Sequence, residues 1–300
     1  MRAAILGRMD GWHVQSLRRA LSGRGIESSC VAATRLVSRC ATAKPPLEAA
    51  GEDLSGCDLL FVRSVPGGSL EQVIYRVDSL HRLQGLGVRV INSAAVIERT
   101  VDKLYTLSVL EDAGLPVPAT VACERSEQAM EAFLCLGGDV VVKPLFGSEG
   151  RGMLRVSDPD LAYRVFSALE QNRYIYYLQE YLPHENRDFR VFVVSGKSLG
   201  VMQRDGTEWR SNVARGARVA RAEAVPEIES LALEAAALFD ADYLGVDVIR
   251  VEDGRVMLLE INGIPGWRGF LKATGINAGE VLVESVLNES CCRRKRKGFF

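Results

Sequence analysis

The sequence lacks the features that mark metal scaffolds, membrane proteins and nucleic-acid binders. Its seven cysteines form no CxxC pair and it has only three histidines, so neither a zinc site nor a disulfide scaffold is expected. No apolar run approaches the length of a membrane span, and Arg8 and Asp10 interrupt the N-terminal run too early for a secretory signal. The 37 Lys and Arg residues nearly balance the 38 Asp and Glu residues, which leaves no overall field to attract nucleic acid. We therefore expect a cytoplasmic protein without nucleic-acid or membrane partners.

What the sequence does contain is a long α/β pattern. From Met1 to about Ser93, short apolar strands alternate with amphipathic helices, which predicts a parallel sheet covered by helices. Within this unit "CATAKPPLEAAGED" is predicted to be a loop, because Pro45 and Pro46 interrupt any helix. Helices and hairpins follow in an α+β pattern, and the final "CCRRKRKGFF" is expected to be frayed and solvated. The predicted units are residues 1–93, 94–185, 186–290 and a basic tail, 291–300.

The stretch "VDVIRVEDGRVMLLEIN" predicts a hairpin that carries two acids. If Asp253 and Gly254 are its two turn residues, counting outward places Asp247 opposite Glu260, with Asn262 on the same face. Like charges placed opposite each other on antiparallel strands repel, so the pair predicts a bound cation. The other residues predicted for that face are Ile249, Val251, Val256 and Leu258.

A glycine-rich stretch, "VVVKPLFGSEGRGM", follows a buried strand that ends at Lys143. Gly147, Gly150 and Gly152 lie close together there, and dense glycines let backbone N–H groups approach an anion. We interpret the stretch as a loop over a phosphate, although its spacing matches neither GxxxxGK[ST] nor GxGxxG. A tight hairpin without a ligand is the alternative interpretation.

A linker to a neighbouring subdomain is predicted after the strand-like run "YIYYLQEYLPH". The run ends in Gln179, Glu180 and Tyr181, just before Pro183. Such a linker can present backbone N–H and C=O groups to an adenine edge. A solvent-exposed strand end explains the same residues equally well.

Arginines are concentrated in two further stretches. In "NRDFRVFVV", Asp188 and Arg190 share one strand face, and "WRSNVARG" contains Arg210, Asn212 and Arg215. Forked guanidinium groups suit phosphates and carboxylates. Any one of these arginines could be a plain surface residue, whereas several that converge on the acidic hairpin would indicate a site.

The order of these parts resembles the ATP-grasp ligases. Lys103 at the start of a helix, Lys143 before the glycines, "QEY", "DFR", "RSN", Asp247 and "EIN" follow one another, and "GVDVIR" with "LLEINGIPGWRGF" is most similar to the RimK-type glutamate ligases. The resemblance extends from about Asn92 to Val286. It implies an ATP-grasp fold, in which an N-terminal parallel-sheet α/β domain precedes two mostly antiparallel α+β subdomains that enclose ATP.

This resemblance implies a role for each matching residue. Lys143 and Arg210 would be catalytic. The implied ATP-binding residues are Lys103, Lys143, Gly147, Ser148, Gly150, Gly152, Gln179, Glu180, Tyr181, Asp188, Arg210, Ser211 and Asn212. The implied ligands of Mg²⁺, with Mn²⁺ as an alternative metal, are Asp247, Glu260 and Asn262. The residues expected to bind substrate are Arg63, Arg190, Arg215 and Gly266.

Arg63 is the residue through which the first domain is expected to bind the acceptor. It lies in "VRSVPGGS" at the end of a predicted strand, where open α/β sheets bind their ligands, and a guanidinium fork suits a planar carboxylate. The alternative is that Arg63 pairs with an acid inside its own domain. Together with "GGDVVVKPLFGSEGRGM", the longer segment around Arg63 is similar to the branch that adds glutamate in α-linkage to tetrahydromethanopterin precursors.

The implied activity is ATP-dependent ligation of L-glutamate to an acceptor carboxylate through an acyl phosphate, by a homo-oligomeric enzyme with small-molecule substrates. The acceptor could instead be a protein C-terminus or another cofactor. A non-catalytic ATP-binding module with the same motifs is a further alternative. Acid/base hydrolysis of a glycoside by the paired acids would leave the lysines and the glycine-rich loop without a purpose.

Overall fold

The computed structural model describes residues 1–147, 150–209, 216–223 and 225–297, which form three units built on β-sheets. Within these ranges, no helix is long and apolar enough to cross a membrane.

The first unit is the parallel α/β domain that the sequence predicts. Four strands pair in parallel in the order β2-β1-β6-β7, and a small antiparallel sheet, β3-β4-β5, lies beside them. The α2 helix begins with a capping box between Ser69 and Gln72, which satisfies free N–H groups of its first turn. The elements are β1 (Ala3–Leu6), α1 (Trp12–Ser22), β2 (Ser28–Val31), β3 (Leu36–Ser38), β4 (Leu47–Ala49), β5 (Glu52–Asp53), β6 (Leu59–Val62), α2 (Leu70–Gly85) and β7 (Arg89–Ile91).

The loop predicted around Pro45 and Pro46 is partly wrong. The prolines do exclude a helix, but β4 begins directly after them and pairs with β3 and β5. A proline before a strand removes no ladder hydrogen bond from it. Leu47 and Ala49 are fully buried under this small sheet, and their burial supplies the reason for the strand.

The second unit contains an antiparallel sheet in the order β10-β9-β11-β8. Helices α5 and α6 cover one face, where Phe133, Phe166 and Tyr176 form the core. Asp102 accepts hydrogen bonds from the N–H groups of Leu104 and Tyr105 and so begins the helix that carries Lys103. The elements are α3 (Ala94–Val101), α4 (Lys103–Asp112), β8 (Thr120–Cys123), α5 (Ser126–Cys135), β9 (Val140–Lys143), β10 (Leu154–Val156), α6 (Pro159–Gln171) and β11 (Tyr176–Glu180).

The third unit is a five-stranded antiparallel sheet in the order β14-β13-β12-β15-β16. Helices α3, α4 and α7 pack on one face, where Val96 and Leu110 join the core of this sheet. The elements are β12 (Arg187–Val194), β13 (Lys197–Asp205), β14 (Arg218–Arg221), α7 (Pro226–Ala237), β15 (Tyr243–Arg250), β16 (Val256–Asn262), α8 (Arg268–Thr274) and α9 (Ala278–Lys297).

A shared hydrophobic core joins the first and third units. Leu17 of α1, Phe61 of β6, Phe192 of β12 and Leu282 of α9 are all buried in it, together with Trp267. Burying a side chain of this size contributes about 1.5–3 kcal/mol, so this core is a major source of the contact between the two units.

The α9 helix extends further than the sequence predicts. It continues to Lys297 through most of the basic run that was expected to be frayed. Lys and Arg are good helix formers, which is compatible with a helix through this run. The frayed-end prediction is therefore wrong for residues 291–297.

Candidate active site

An open cleft lies between the second and third units. The sheet of the second unit presents the face that α5 and α6 leave uncovered, and the strands β12, β13, β15 and β16 form the opposite wall. Small-molecule sites are common at such contacts between units, and this cleft is a candidate for one. The residues predicted from sequence that line it are Lys103, Lys143, Gly147, Gly150, Gln179, Glu180, Tyr181, Asp188, Asp247 and Glu260.

The acidic hairpin forms one wall of the cleft, and Asp247 pairs with Glu260 as predicted. The predicted two-residue turn is wrong, because the Val251 N–H bonds to the carbonyl of Arg255, which leaves three residues in the loop. The last of them, Gly254, has a φ of +92°, a conformation that disfavours any residue with a Cβ.

A β-bulge then restores the predicted pair. Val248 is opposite Leu258 while Asp247 is opposite Glu260, so β16 contains one extra residue, Leu259, at this point. A bulge directs two successive side chains to the same side, and both Leu259 and Glu260 line the cleft. The prediction that Val256 and Leu258 share a face with Asp247 is therefore wrong, because Leu258 packs in the core beside Val248 on the opposite face and Val256 packs against the same core.

Two arginines, the partly buried Arg190 and the fully buried Arg204, hold the carboxylate of Asp247. Arg190 donates to it twice, from Nε and from Nη2, at 2.6 Å each, and Arg204 Nη2 lies 3.2 Å from its Oδ1. Arg204 also donates to both oxygens of Asp188, at 2.5 and 2.6 Å. Arg190 and Asp247 are direct cross-strand neighbours, as are Asp188 and Arg204, so the sheet itself places opposite charges side by side.

Two residues that were predicted to contact ligands have protein partners in this network. Arg190 was assigned to substrate, but its guanidinium is directed at Asp247. Asp188 was placed beside a ribose, and it lines the cleft while its carboxylate accepts from Arg204. Their predicted roles toward ligands remain predictions.

The two acids of the hairpin differ in their electrostatics. Burial raises the pKa of Glu260, more than Lys103 lowers it. Burial also opposes ionisation of Asp247, but Arg190 and Arg204 outweigh it and lower the pKa of that carboxyl. Asn262 donates weakly to Asp247 from Nδ2 at 3.5 Å, which leaves its carbonyl oxygen for another partner.

The donor set suits a hard divalent cation. Among the described residues, Glu260 forms no ion pair; it lines the cleft opposite Asp247 on the neighbouring strand, and Asn262 contacts Asp247 from two residues further along β16. No cluster of three or more His, Cys, Asp or Glu occurs in the described ranges. Two carboxylates and an amide oxygen therefore fit Mg²⁺ completed by phosphate and water, rather than a metal that needs sulfur or nitrogen ligands.

Lys143 reaches the cleft from the opposite wall. Its ammonium donates to Gln179 Oε1, and Gln179 in turn donates from Nε2 to Thr120 Oγ1 at 3.0 Å. Burial lowers the pKa of Lys143 to about 8, an effect that Glu260 opposes and Lys103 reinforces. A lysine held in this way presents a positive charge that a bound anion would stabilise.

Lys103 holds the glycine-rich loop at its start. The ammonium donates to the carbonyl of Gly147 at 2.7 Å and to that of Leu145 at 3.4 Å. A Cβ on Gly147 would approach Pro144 Cγ within 2.9 Å, so the tight approach requires glycine. Gly152 is next to Met153, which lines the cleft.

The predicted linker residues occupy one end of the cleft. The carboxylate of Glu180 accepts from the Ala119 N–H at 2.8 Å, and the Tyr181 N–H donates to the Asp139 carbonyl at 3.0 Å. The Tyr181 ring contacts Trp209 edge to face, with ring centroids 6.4 Å apart. Apolar side chains beside them give a surface suited to a flat aromatic ring: Val141, Leu182, Ile249 and Leu259.

Arg63 and Gly266 lie outside this cleft, at the contact between the first and third units. Arg63 donates to Tyr243 Oη at 2.8 Å and to the Pro265 carbonyl at 2.9 Å, and its guanidinium lies 4.5 Å from the Trp267 ring centroid. The sequence analysis expected Arg63 to bind either the acceptor or an acid of its own domain, and it did not foresee a contact with the third unit. The pairing with an acid of its own domain is wrong, because Arg63 donates to Tyr243 and Pro265 instead. Its expected contact with the acceptor remains a prediction, although these bonds direct its Nη donors elsewhere.

Several predicted residues cannot be placed, because they fall outside the described ranges: Ser148, Arg210, Ser211, Asn212 and Arg215.

Sequence reasoning missed several residues of the cleft. Arg204 lies opposite Asp188 only because β13 contains one extra residue, Leu199, between the partners of Phe192 and Val193, and no local pattern indicates this bulge. His184 places Nδ1 2.6 Å from the Leu182 carbonyl and Nε2 3.0 Å from the Trp209 carbonyl, so it links two segments of the cleft wall.

A cleft between two antiparallel sheets, with lysines on one wall and acids on the other, is the arrangement of ATP-grasp enzymes. The sequence of residues 100–286 matches the family model for the RimK-like ATP-grasp domain, and the chain belongs to this family of ligases. Among solved structures, a RimK domain ATP-grasp protein from Sphaerobacter thermophilus superposes with a TM-score of 0.77 at 21% identity, covering 95% of this chain and 99% of that one.

Named relatives are more similar in sequence. A tetrahydromethanopterin:alpha-L-glutamate ligase of Methanosarcina acetivorans is 33% identical over 264 residues, covering 78% of this chain and 81% of that protein. The alpha-aminoadipate–LysW ligase LysX of Sulfurisphaera tokodaii is 31% identical over 232 residues, covering 73% and 81%. A probable alpha-L-glutamate ligase of Aliivibrio fischeri is 28% identical over 301 residues, covering 99% and 98%.

Proposed function

We propose that this protein is an ATP-dependent α-L-glutamate ligase whose acceptor is a precursor of a tetrahydromethanopterin-type cofactor. The observation that carries the ligase chemistry is the opposition of Lys103 and Lys143 to Asp247 and Glu260 across one cleft. The similarity to tetrahydromethanopterin:alpha-L-glutamate ligases supports the acceptor.

The reaction would proceed in two steps. An oxygen of the acceptor carboxylate attacks the γ-phosphorus of ATP, which forms an acyl phosphate and releases ADP. The amine nitrogen of glutamate then attacks the acyl carbon, the C–N bond forms, and inorganic phosphate leaves. No protein nucleophile is required, so the contribution of the chain is position and charge.

The residues of the cleft divide this work. Lys143, oriented by Gln179, and Lys103 would bind phosphate oxygens and stabilise the charge that spreads over them during transfer. Glu260, Asp247 and Asn262 would hold Mg²⁺, which when bound supplies further charge neutralisation to the phosphates. Glu180 and Tyr181 would position the adenine. Arg190 and the buried Arg204 lower the pKa of Asp247 and so favour its ionised form before any ligand binds.

A second candidate acceptor is a carboxylate on a protein. The similarity to LysX, a ligase named for the protein LysW, favours it. A non-catalytic ATP-binding module is the third candidate, and it requires that no ADP be released.

The decisive experiment is to incubate the protein with ATP, Mg²⁺, glutamate and a panel of acceptors. We expect ADP release that depends on both glutamate and a pterin acceptor, with a mass increase of one glutamyl residue on the acceptor. Glutamylation of a peptide terminus instead would leave the ligase chemistry standing and reject the pterin. ADP release with no acceptor, or none under any condition, would contradict the ligase proposal.

ATP binding is expected to take up protons near pH 8. With its pKa lowered to about 8, Lys143 is partly neutral there, and a triphosphate beside it would restore the charged form, so uptake should approach about half a proton. Affinity should fall as the pH rises from 7 to 9. Calorimetry in two buffers of different ionisation enthalpy measures the uptake, with EDTA present so that Glu260 releases no proton to a metal.

The matched control for this measurement is Lys143→Met. Its ATP binding should be weaker and should no longer take up a proton near pH 8. Equal proton uptake by the variant and the wild type would show that another group titrates.

A further inference from the structure

A guanidinium outside the cleft covers one face of the ring expected to contact adenine. The carbon at the centre of the Arg155 guanidinium lies 3.4 Å from the centroid of the Tyr181 ring, a stacked cation–π contact. Tyr181 lines the cleft, whereas Arg155 is not among the described residues that do so. The Arg155 side chain can therefore act on a bound nucleotide through the Tyr181 ring that it contacts.

Asp139 fixes both members of this stack. Its carboxylate accepts from Arg155 Nε at 2.9 Å and from Nη2 at 2.6 Å, and its backbone carbonyl accepts from the Tyr181 N–H at 3.0 Å. The bidentate carboxylate contact orients the plane of the guanidinium. The backbone hydrogen bond fixes the position of the Tyr181 backbone, from which its side chain projects. Arg155, Asp139 and Tyr181 thus form a cluster in which each member contacts the other two.

Arg155 also connects two segments of the chain that border the cleft. Arg155 belongs to β10, the strand that follows the glycine-rich loop, and it pairs with Val141 of β9, whose side chain lines the cleft. The stack therefore connects the strand after the loop to the segment beginning at Tyr181.

Global stability is a poor explanation for this arrangement. The side chains of Arg155 and Asp139 are 37% and 35% exposed, and ion pairs with that exposure contribute little to folding.

We propose that Arg155 is a positioning residue for the nucleotide base, and that it acts by holding the Tyr181 ring in one orientation. The proposal rests on the proposed function only in that the cleft binds ATP. It predicts that loss of the guanidinium weakens nucleotide binding without slowing the chemical step at saturating ATP, since Arg155 contacts no phosphate-binding residue described here.

The test is a double-mutant cycle on ATP affinity, measured directly by calorimetry with Arg155→Ala, Tyr181→Ala and the double variant. We expect Arg155→Ala to weaken ATP binding about threefold to thirtyfold, the range of a cation–π contact. In the Tyr181→Ala background the same change should have no effect. Arg155→Lys should recover only part of the loss, because an ammonium does not reproduce the planar fork.

Arg164→Ala is the matched control, because it removes another exposed arginine from the same unit, and it should leave ATP affinity unchanged. Equal weakening by Arg155→Ala in both backgrounds, or no weakening in the wild-type background, would overturn the proposal. A kcat that falls at saturating ATP would also contradict a positioning role. Failure of the wild-type protein to bind ATP would instead reject the proposed function, so the two failures are distinguishable.

Discussion

Glu260→Gln is expected to lower ligase turnover by at least about a hundredfold while the protein remains folded. Glutamine has nearly the same shape but no charge, and Glu260 lines the cleft without an ion-pair partner among the described residues. Loss of its charge therefore removes a ligand expected for Mg²⁺ without opening a cavity. Steady-state ADP release measures the loss.

The same variant should be at least as stable as the wild type at neutral pH. Because burial raises the pKa of Glu260, the folded state binds that proton more tightly than the unfolded state does. Its stabilising contribution is present at acidic pH and is lost as the pH rises through the folded-state pKa. Glutamine removes this dependence, so urea unfolding should show a relative gain for the variant at pH 8 compared with pH 4.

Glu252→Gln is the control, because Glu252 is exposed in the turn of the same hairpin. This change should leave both turnover and stability within error. Near-wild-type ligation by Glu260→Gln would reject the metal assignment.

The second large effect is expected on stability, from Arg204→Met. Arg204 is 2% exposed and holds Asp188 and Asp247, which are 6% and 5% exposed. Removing one member of a buried ion network leaves uncompensated charge, which typically costs about 3–5 kcal/mol. Urea unfolding at pH 7 measures this change in the free energy of unfolding.

The deficit caused by Arg204→Met should shrink in acid. Arg190 and Arg204 overcome the effect of burial and keep the pKa of Asp247 low, so their contribution is present above the unfolded-state pKa and is lost as the pH falls through the folded-state value. Without Arg204 the pKa of Asp247 rises, and protonation relieves the buried charge. Variant and wild type should therefore differ less at pH 4 than at pH 7.

Arg187→Ala is the matched control, because Arg187 and Asp205 are the next cross-strand pair of the same two strands, β12 and β13. Arg187 pairs with Asp205 at 2.7 Å, but the two side chains are 43% and 37% exposed. An exposed pair contributes about 0–1 kcal/mol, so this change should be mild. If Arg204→Met were equally mild, the buried network would not be a source of stability.

Individual strands and helices could be predicted because their causes are local. The apolar run before Lys143, the helix begun by Asp102 and the parallel pattern of the first unit all follow from spacing that a short window contains. The family resemblance added the order of the motifs, and with it the expectation of lysines opposite acids across one cleft.

Register was the weakest part of the prediction, even where its result was confirmed. Asp247 and Glu260 pair as counted from the turn, but only because a three-residue loop and a later bulge at Leu259 shift the strands in opposite directions. Leu258, counted between them, was assigned to the wrong face. A shift of one residue reverses the face of every side chain beyond it, and the sequence contained no sign of either shift.

Local sequence specifies which elements form and which charged residues follow their ends, because hydrophobic period, caps and turn residues act over a few positions. The partners of those charges depend on contacts between distant elements. The order β13-β12-β15 places Arg204, Asp188, Arg190 and Asp247 side by side, and the docking of two units directs Arg63 to Tyr243. Strand order and docking are set by the burial of whole faces, and a buried charge must pair with whatever group those faces bring within reach.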